Sequence, residues 1–155
     1  MRLHNVMLPR IQLIKLIDSM QKSTKNNLQN CCPCQSGNTY NQCCQPAHIG
    51  YSAATAEALM RSRYTAYVLA LADYLLKTWH VDTRPATLNL VDDNQTKWLG
   101  LQIKRAENVG ETAAIVEFVA RYKVNGKAER LHEISQFLRV DACWFYVDGQ
   151  VLPTL

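Results

Sequence analysis

The sequence predicts an α+β fold in which helices come first and pack on one face of a curved antiparallel sheet. Three observations carry this. Apolar residues recur at three- and four-residue spacing between Thr55 and Trp79, the period of an amphipathic helix. From Lys97 onward the period becomes two, and Asn125-Gly126 interrupts it as a hairpin signal. Five of the six cysteines crowd into residues 31–44, ahead of everything else, so a small cysteine-rich unit precedes the cone.

Residues 1–30 read as an extension and linker. Leu8, Ile11, Leu13, Ile14, Leu16 and Ile17, around Pro9 and with Lys15 and Asp18 between them, suggest a short amphipathic helix. It is too short and too charged to span a membrane, and it lacks a small-residue cleavage site. The expected compartment is therefore the cytoplasm. Residues 21–30 are polar and lead to a knuckle over 31–50, and 51–155 form the α+β domain. Thr55, ahead of Ala56-Glu57-Ala58, is the candidate N-cap of a helix carrying Leu59, Met60, Tyr64, Tyr67, Val68 and Leu71. A break at Ala72-Asp73 introduces a shorter helix with Tyr74, Leu75, Leu76 and Trp79, stopped by Pro85, and 86–97 is read as another short helix. Strands are expected at 99–107, 113–124, 127–140 and 143–147, joined at Val109-Gly110, Asn125-Gly126 and Val140-Asp141-Ala142. Two are unusually long and must twist.

The cysteines have two readings. Adjacent Cys43 and Cys44 have Cα atoms about 3.8 Å apart, whereas a relaxed disulfide needs roughly 4.4–6.8 Å. Cys32 and Cys34 would close a ring nearly as small. Crossed bridges remain geometrically open, but a reducing compartment disfavours them. One zinc ion relieves the difficulty, because each pair supplies two corners of a tetrahedron and the polar segment 35–42 turns the chain back. Pro33 stiffens the first pair, and Gly37 supplies a left-handed turn. Four thiolates leave no position for water, which makes such a zinc structural. Cys31 is spare, His48 is placed as a hydrogen-bond partner behind the site, and Cys143 reads as a buried small hydrophobe.

The run Cys32-Pro33-Cys34-Gln35-Ser36-Gly37…Tyr40…Cys43-Cys44 resembles the SEC-C zinc knuckle, and the resemblance assigns Cys32, Cys34, Cys43 and Cys44 as ligands. Gln35 stands where that pattern has a glycine. Asn38 and Thr39 stand where lysine is frequent, which weakens the case for an anionic partner at the knuckle. Leu59–Tyr64, Thr78-Trp79-His80, Trp98–Leu101, Val116–Tyr122 and Arg130–Glu133 are similar to runs of the small bacterial YchJ-like family. That resemblance implies a SEC-C knuckle on a cystatin-like, nuclear transport factor 2-like cone, for which the family's biochemical role is poorly defined.

Strand alternation sets Ala114, Val116, Phe118, Ala120, Tyr122 and Val124 on one face and Ile115, Glu117, Val119, Arg121 and Lys123 on the other. His132 and Glu133 fall on opposite faces. A mouth lined by Trp79, His80, Trp98, His132, Trp144 and Tyr146 is one candidate pocket, with Glu117 or Glu133 as carboxylate partner to a histidine base. Arg61 and Arg63 point to different sides of their helix, one toward Glu57 or Asp73 and the other toward the pocket.

With 48% hydrophobic and 19% charged residues, a packed core is expected rather than disorder. A net charge of +4 without a basic run does not point to specific DNA binding. The leading functional reading is a non-enzymatic zinc-containing adaptor. Its knuckle meets a protein or ribonucleoprotein partner, and its cone supplies a second surface or a homodimer face. The alternatives are a pocket enzyme using histidine–carboxylate acid–base chemistry on a small molecule, and a redox sensor releasing zinc on thiolate oxidation.

Overall fold

The structure, a computed structural model, describes residues 31–90 and 95–153; the readings for residues 1–30 lie outside them. Residues from Cys32 onward form one compact unit. After the knuckle come a one-turn helix α1 (Gln45–His48), the long helix α2 (Ala56–Val68) and the short helix α3 (Ala72–Lys77). Four strands follow: β1 (Thr96–Asn108), β2 (Ala113–Val124), β3 (Lys127–Val140) and β4 (Cys143–Leu152). They pair in sequence order as an antiparallel meander. No helix among the described residues is long and apolar enough to cross a membrane.

Local chemistry sets the boundaries. Thr55 is extended and its side chain accepts the Ala58 N–H at 3.0 Å, which starts α2. α2 stops at Val68, earlier than the apolar spacing to Leu71 suggests. Ala70 takes φ +56°, and the Leu71 and Ala70 amides bond back to Ala66 and Tyr67 at 2.8 and 3.3 Å. This is a Schellman end in which alanine holds the position glycine usually fills. Asn125 and Gly126 both have positive φ, +49° and +79°, the type I′ geometry that suits a two-residue hairpin.

Two expectations fail at the sheet. Residues 86–90 are not helical, and β1 already begins at Thr96, so the short helix proposed for 86–97 is replaced by extended chain and strand. β4 continues past residue 147 to Leu152, through Gly149 opposite Ser135. Register shifts at Trp98/Gly100, Ile103/Arg105 and Gln136/Phe137 bend the long strands.

The inner sheet face carries Ala114, Val116, Phe118, Ala120, Phe137 and Trp144 against Leu59, Met60 and Tyr64 of α2, all buried. Each large side chain contributes on the order of 1.5–3 kcal/mol by leaving water. The same core cluster includes Cys32, Cys34 and Cys44. The knuckle therefore shares its apolar packing with the cone.

Candidate metal centre and cavity

The knuckle is drawn together by two left-handed turns. Gln35 has φ +58° and Gly37 φ +88°, and the Cys32 N–H bonds to the Asn38 carbonyl at 2.9 Å while Gln35 N–H bonds back to Cys32 at 3.0 Å. Gln35 thus adopts the conformation a glycine adopts easily. Its side chain donates to the Leu99 carbonyl at 3.2 Å. Gly100 makes room for it, since a Cβ there would sit 2.5 Å from Gln35 Oε1. A 3₁₀ turn over Tyr40–Gln42 then delivers Cys43 and Cys44.

One sulfur atom from each of Cys32, Cys34, Cys43 and Cys44 lies within 4.8 Å of the other three. Cys34 and Cys43 sulfurs are 3.5 Å apart and Cys43 and Cys44 sulfurs 3.8 Å. These separations are far beyond a disulfide bond, and they match the edge of about 3.8 Å expected for a tetrahedral ion with sulfurs at about 2.3 Å. Cys32, Cys34 and Cys44 are buried. Hydrogen bonds from Cys32 and Cys44 drive the Cys34 thiol far down, whereas Cys32, Cys34 and burial drive Cys44 far up. Sulfurs this close cannot all ionise without a cation to offset their charge. The donor set therefore fits a thiophilic metal ion.

Neighbouring groups hold the sulfurs. Ser36 Oγ is 3.1 Å from Cys43 Sγ, and Thr65 Oγ1, from α2, donates to Cys44 Sγ at 3.4 Å. Arg61 pairs with Glu57 at 2.9 Å and donates to the Cys34 carbonyl at 3.1 Å. His48 lies behind the site. Its Nε2 donates to the Ser62 carbonyl at 2.8 Å, so Nδ1 accepts from Tyr40 OH at 2.8 Å. Tyr40 and Thr65 escaped sequence reasoning; only the knuckle pattern, which includes the tyrosine, hinted at either.

The proposed aromatic mouth does not assemble. His132 pairs with Glu117 at 2.8 Å, and Arg105 approaches the same carboxylate at 3.5 Å, but on the outer sheet face. His80 lies beyond Trp79, its amide bonded to the Tyr146 carbonyl at 2.7 Å and its Nδ1 accepting the Asp82 N–H. Trp144 is buried toward the knuckle side, in a groove with Ala47, Tyr51 and Leu59. Of that set, Trp98 and Tyr146 line a cavity that also takes in Arg63 and Glu133, and Trp79 packs edge-on against Tyr146 at 5.0 Å. Alternation explains the split, because adjacent His132 and Glu133 must face opposite ways.

With this geometry, comparison with known proteins is direct. Residues 55–149 match the family described as "YchJ, middle NTF2-like domain". A UPF0225 protein of Chromobacterium violaceum is 52% identical over 134 residues, covering 83% of this chain and 98% of its own length. The chain belongs to the YchJ family. A UPF0225 protein of Bordetella pertussis is 50% identical over 125 residues, covering 77% of this chain and 92% of its own. Among solved structures, a SEC-C motif containing protein from Rhodopseudomonas palustris aligns with TM-score 0.71 at 34% identity, covering 79% of this chain and 98% of that one. A SEC-C motif containing protein from Psychrobacter arcticus aligns with TM-score 0.66 at 30% identity, covering 80% and 84%.

In this YchJ-family chain the cavity between α2 and the sheet measures about 270 Å³. Arg63 forms one end. It is 3% exposed, donates from Nη1 to the Leu75 carbonyl at 2.7 Å and Thr78 Oγ1 at 2.8 Å, and lies over the rings of Trp79 and Tyr146 at 5.0 and 4.6 Å. Burial lowers its affinity for a proton, against the nearby tyrosines and Glu133. Glu133 Oε1 accepts from Ser135 Oγ at 2.7 Å and Tyr146 OH at 3.3 Å. Burial also pushes the Tyr64 hydroxyl up to about 12. The indole Nε1 of Trp79 is buried without a hydrogen-bond partner among the described residues.

Proposed function

We propose that Cys32, Cys34, Cys43 and Cys44 bind one structural zinc ion, and that the knuckle so ordered is the contact surface of an adaptor for a protein or ribonucleoprotein partner. The observation that carries this is the closed set of four sulfurs within 4.8 Å of one another. Zinc suits four thiolates, needs no redox change and leaves no coordination position open for chemistry. A site of this kind contributes folding free energy and shapes a surface. The knuckle offers exposed, uncharged Gln35, Asn38, Asn41 and Gln42, and the chain that follows it exposes Ile49 and Tyr51. Exposed amides supply hydrogen bonds to a macromolecular partner without carrying charge of their own. Reduced thiolates require a reducing compartment, so we place the protein in the cytoplasm.

The experiment is metal analysis of protein purified under reducing conditions, followed by affinity capture with the intact chain and a Cys43→Ser, Cys44→Ser variant. About one zinc per chain is expected, with partners captured by the intact chain and lost by the variant. Absence of metal, or partners retained by a metal-free variant, overturns the reading.

A further inference from the structure

We propose that the cavity between α2 and the sheet binds a small, uncharged, planar heteroaromatic molecule, whose edge offers an acceptor to Arg63 and a donor to Glu133. Size and lining come first. At about 270 Å³ the cavity sits near the small end of ligand pockets, roughly 300–1,000 Å³. Tyr64, Tyr67, Trp98 and Phe118 supply aromatic walls, which favour a flat ring in stacked or edge-on contact.

The polar end fixes the chemistry. The Arg63 guanidinium is 3% exposed and lines the cavity. Its Nη1 is engaged by Leu75 and Thr78. No hydrogen bond among the described residues engages its Nε or Nη2, and no carboxylate lies within 4.0 Å of it; because neither nitrogen is among the fully sealed polar atoms left without a partner, they keep open surface at the cavity that Arg63 lines. Donors that open onto a largely apolar space gain from an acceptor placed there. On the same wall Glu133 uses Oε1 for Ser135 and Tyr146, and its Oε2 accepts from no described residue. Open guanidinium donors and one open carboxylate acceptor therefore border a single space. The lining holds one cation and one anion, so a neutral ligand keeps the cavity balanced where an anion or cation would not. A ring lactam, with carbonyl and N–H on adjacent atoms, offers an acceptor to Arg63 and a donor to Glu133 in one flat molecule.

The test titrates the full, metal-loaded chain separately with hypoxanthine, benzoate and toluene, followed by amide NMR shifts. These probes present a lactam edge, an anion and a bare ring. Hypoxanthine is expected to bind saturably, to shift resonances of residues lining the cavity, and to bind at least about tenfold more tightly than either other probe. In Glu133→Gln, Ser135 and Tyr146 need the amide oxygen, which leaves the NH₂ facing the ligand's N–H. That variant should weaken hypoxanthine about tenfold, and Leu131→Phe should block it by filling space. Benzoate or toluene binding as well as hypoxanthine, no hypoxanthine binding, or Glu133→Gln binding unchanged each overturns the proposal. The wild-type comparison of the three probes decides it even if both variants fail to fold.

Discussion

Thr65, fully buried in the last turn of α2, donates its hydroxyl to Cys44 Sγ at 3.4 Å and lies 3.8 Å from Cys32 Sγ. The clustered cysteine side chains and the main helix thus form one packed layer. Removing the metal should therefore destabilise the whole compact unit. Four sulfurs relieved of their cation repel or reprotonate inside a core they share with Leu59 and Met60. We expect a loss of about 3 kcal/mol or more, seen as a lower melting temperature by circular dichroism when a chelator is added under reducing conditions. An identical melt with the metal demonstrably gone would contradict this.

Thr65→Val tests the same contact more gently. Valine keeps the shape and removes the donor to Cys44 sulfur. The expected loss is about 1 kcal/mol of stability and about 10–100-fold in metal affinity, measured by competition with a coloured chelator. An affinity equal to wild type would show that the hydroxyl does not tune the site.

How much of this was legible in the sequence depends on whether the cause is local. Thr55 as a cap, Asn125-Gly126 as a turn and the paired cysteines all act over a few residues, and each reads directly. The end of α2 does not, because Ala70 carries no mark of its left-handed φ of +56°. The failed mouth has a long-range cause. The parallel bridge between Trp79 and Tyr146 carries His80 past the cavity, and no periodicity encodes that bridge. The burial of Arg63 depends on the same two rings, so spacing could separate Arg61 from Arg63 without revealing which is caged.

The left-handed alanines make a stability prediction. Ala70 at φ +56° and exposed Ala142 at φ +64° both adopt a conformation that strains a Cβ, by roughly 1–2 kcal/mol. Glycine relieves the strain but orders a more flexible chain, a loss of roughly 0.5–1 kcal/mol. Ala70→Gly and Ala142→Gly should each stabilise by about 0.5–1 kcal/mol in urea unfolding. A destabilised Ala70→Gly would mean that the helix end is held by side-chain packing instead.

His48 should make stability depend on pH. Burial lowers its pKa below the ordinary 6.5, against the opposing hydrogen bond to the Ser62 carbonyl. The folded state keeps it neutral while the unfolded chain takes up a proton, so its contribution is complete above pH 6.5 and falls as the pH drops below that value. One proton limits the slope to about 1.4 kcal/mol per pH unit. Unfolding stabilities of wild type and His48→Gln should keep a constant offset above that point and change relative to each other only below it, wild type losing more as the pH falls. Parallel curves from pH 7 to pH 5 would show that His48 is not the source of the acid sensitivity.

Gly149 and Glu133 supply the last prediction. A Cβ at Gly149 would lie 1.8 Å from Glu133 Oε1 and 2.4 Å from its Cδ, so Gly149→Ala must push that carboxylate aside. Ser135, fully buried, then loses its acceptor, and Tyr146 OH loses its own. An unsatisfied buried donor costs about 1–3 kcal/mol, and a side chain driven off its rotamer adds about 0.5–1.5 kcal/mol. Gly149→Ala should therefore destabilise by about 2–4 kcal/mol in urea unfolding, although Gly149 lies in a strand, where alanine is ordinarily the better residue. The double variant Gly149→Ala, Glu133→Ala should recover part of that loss, since the clash disappears with the longer side chain. No recovery would mean that the strand backbone, and not Glu133, leaves no room for a Cβ.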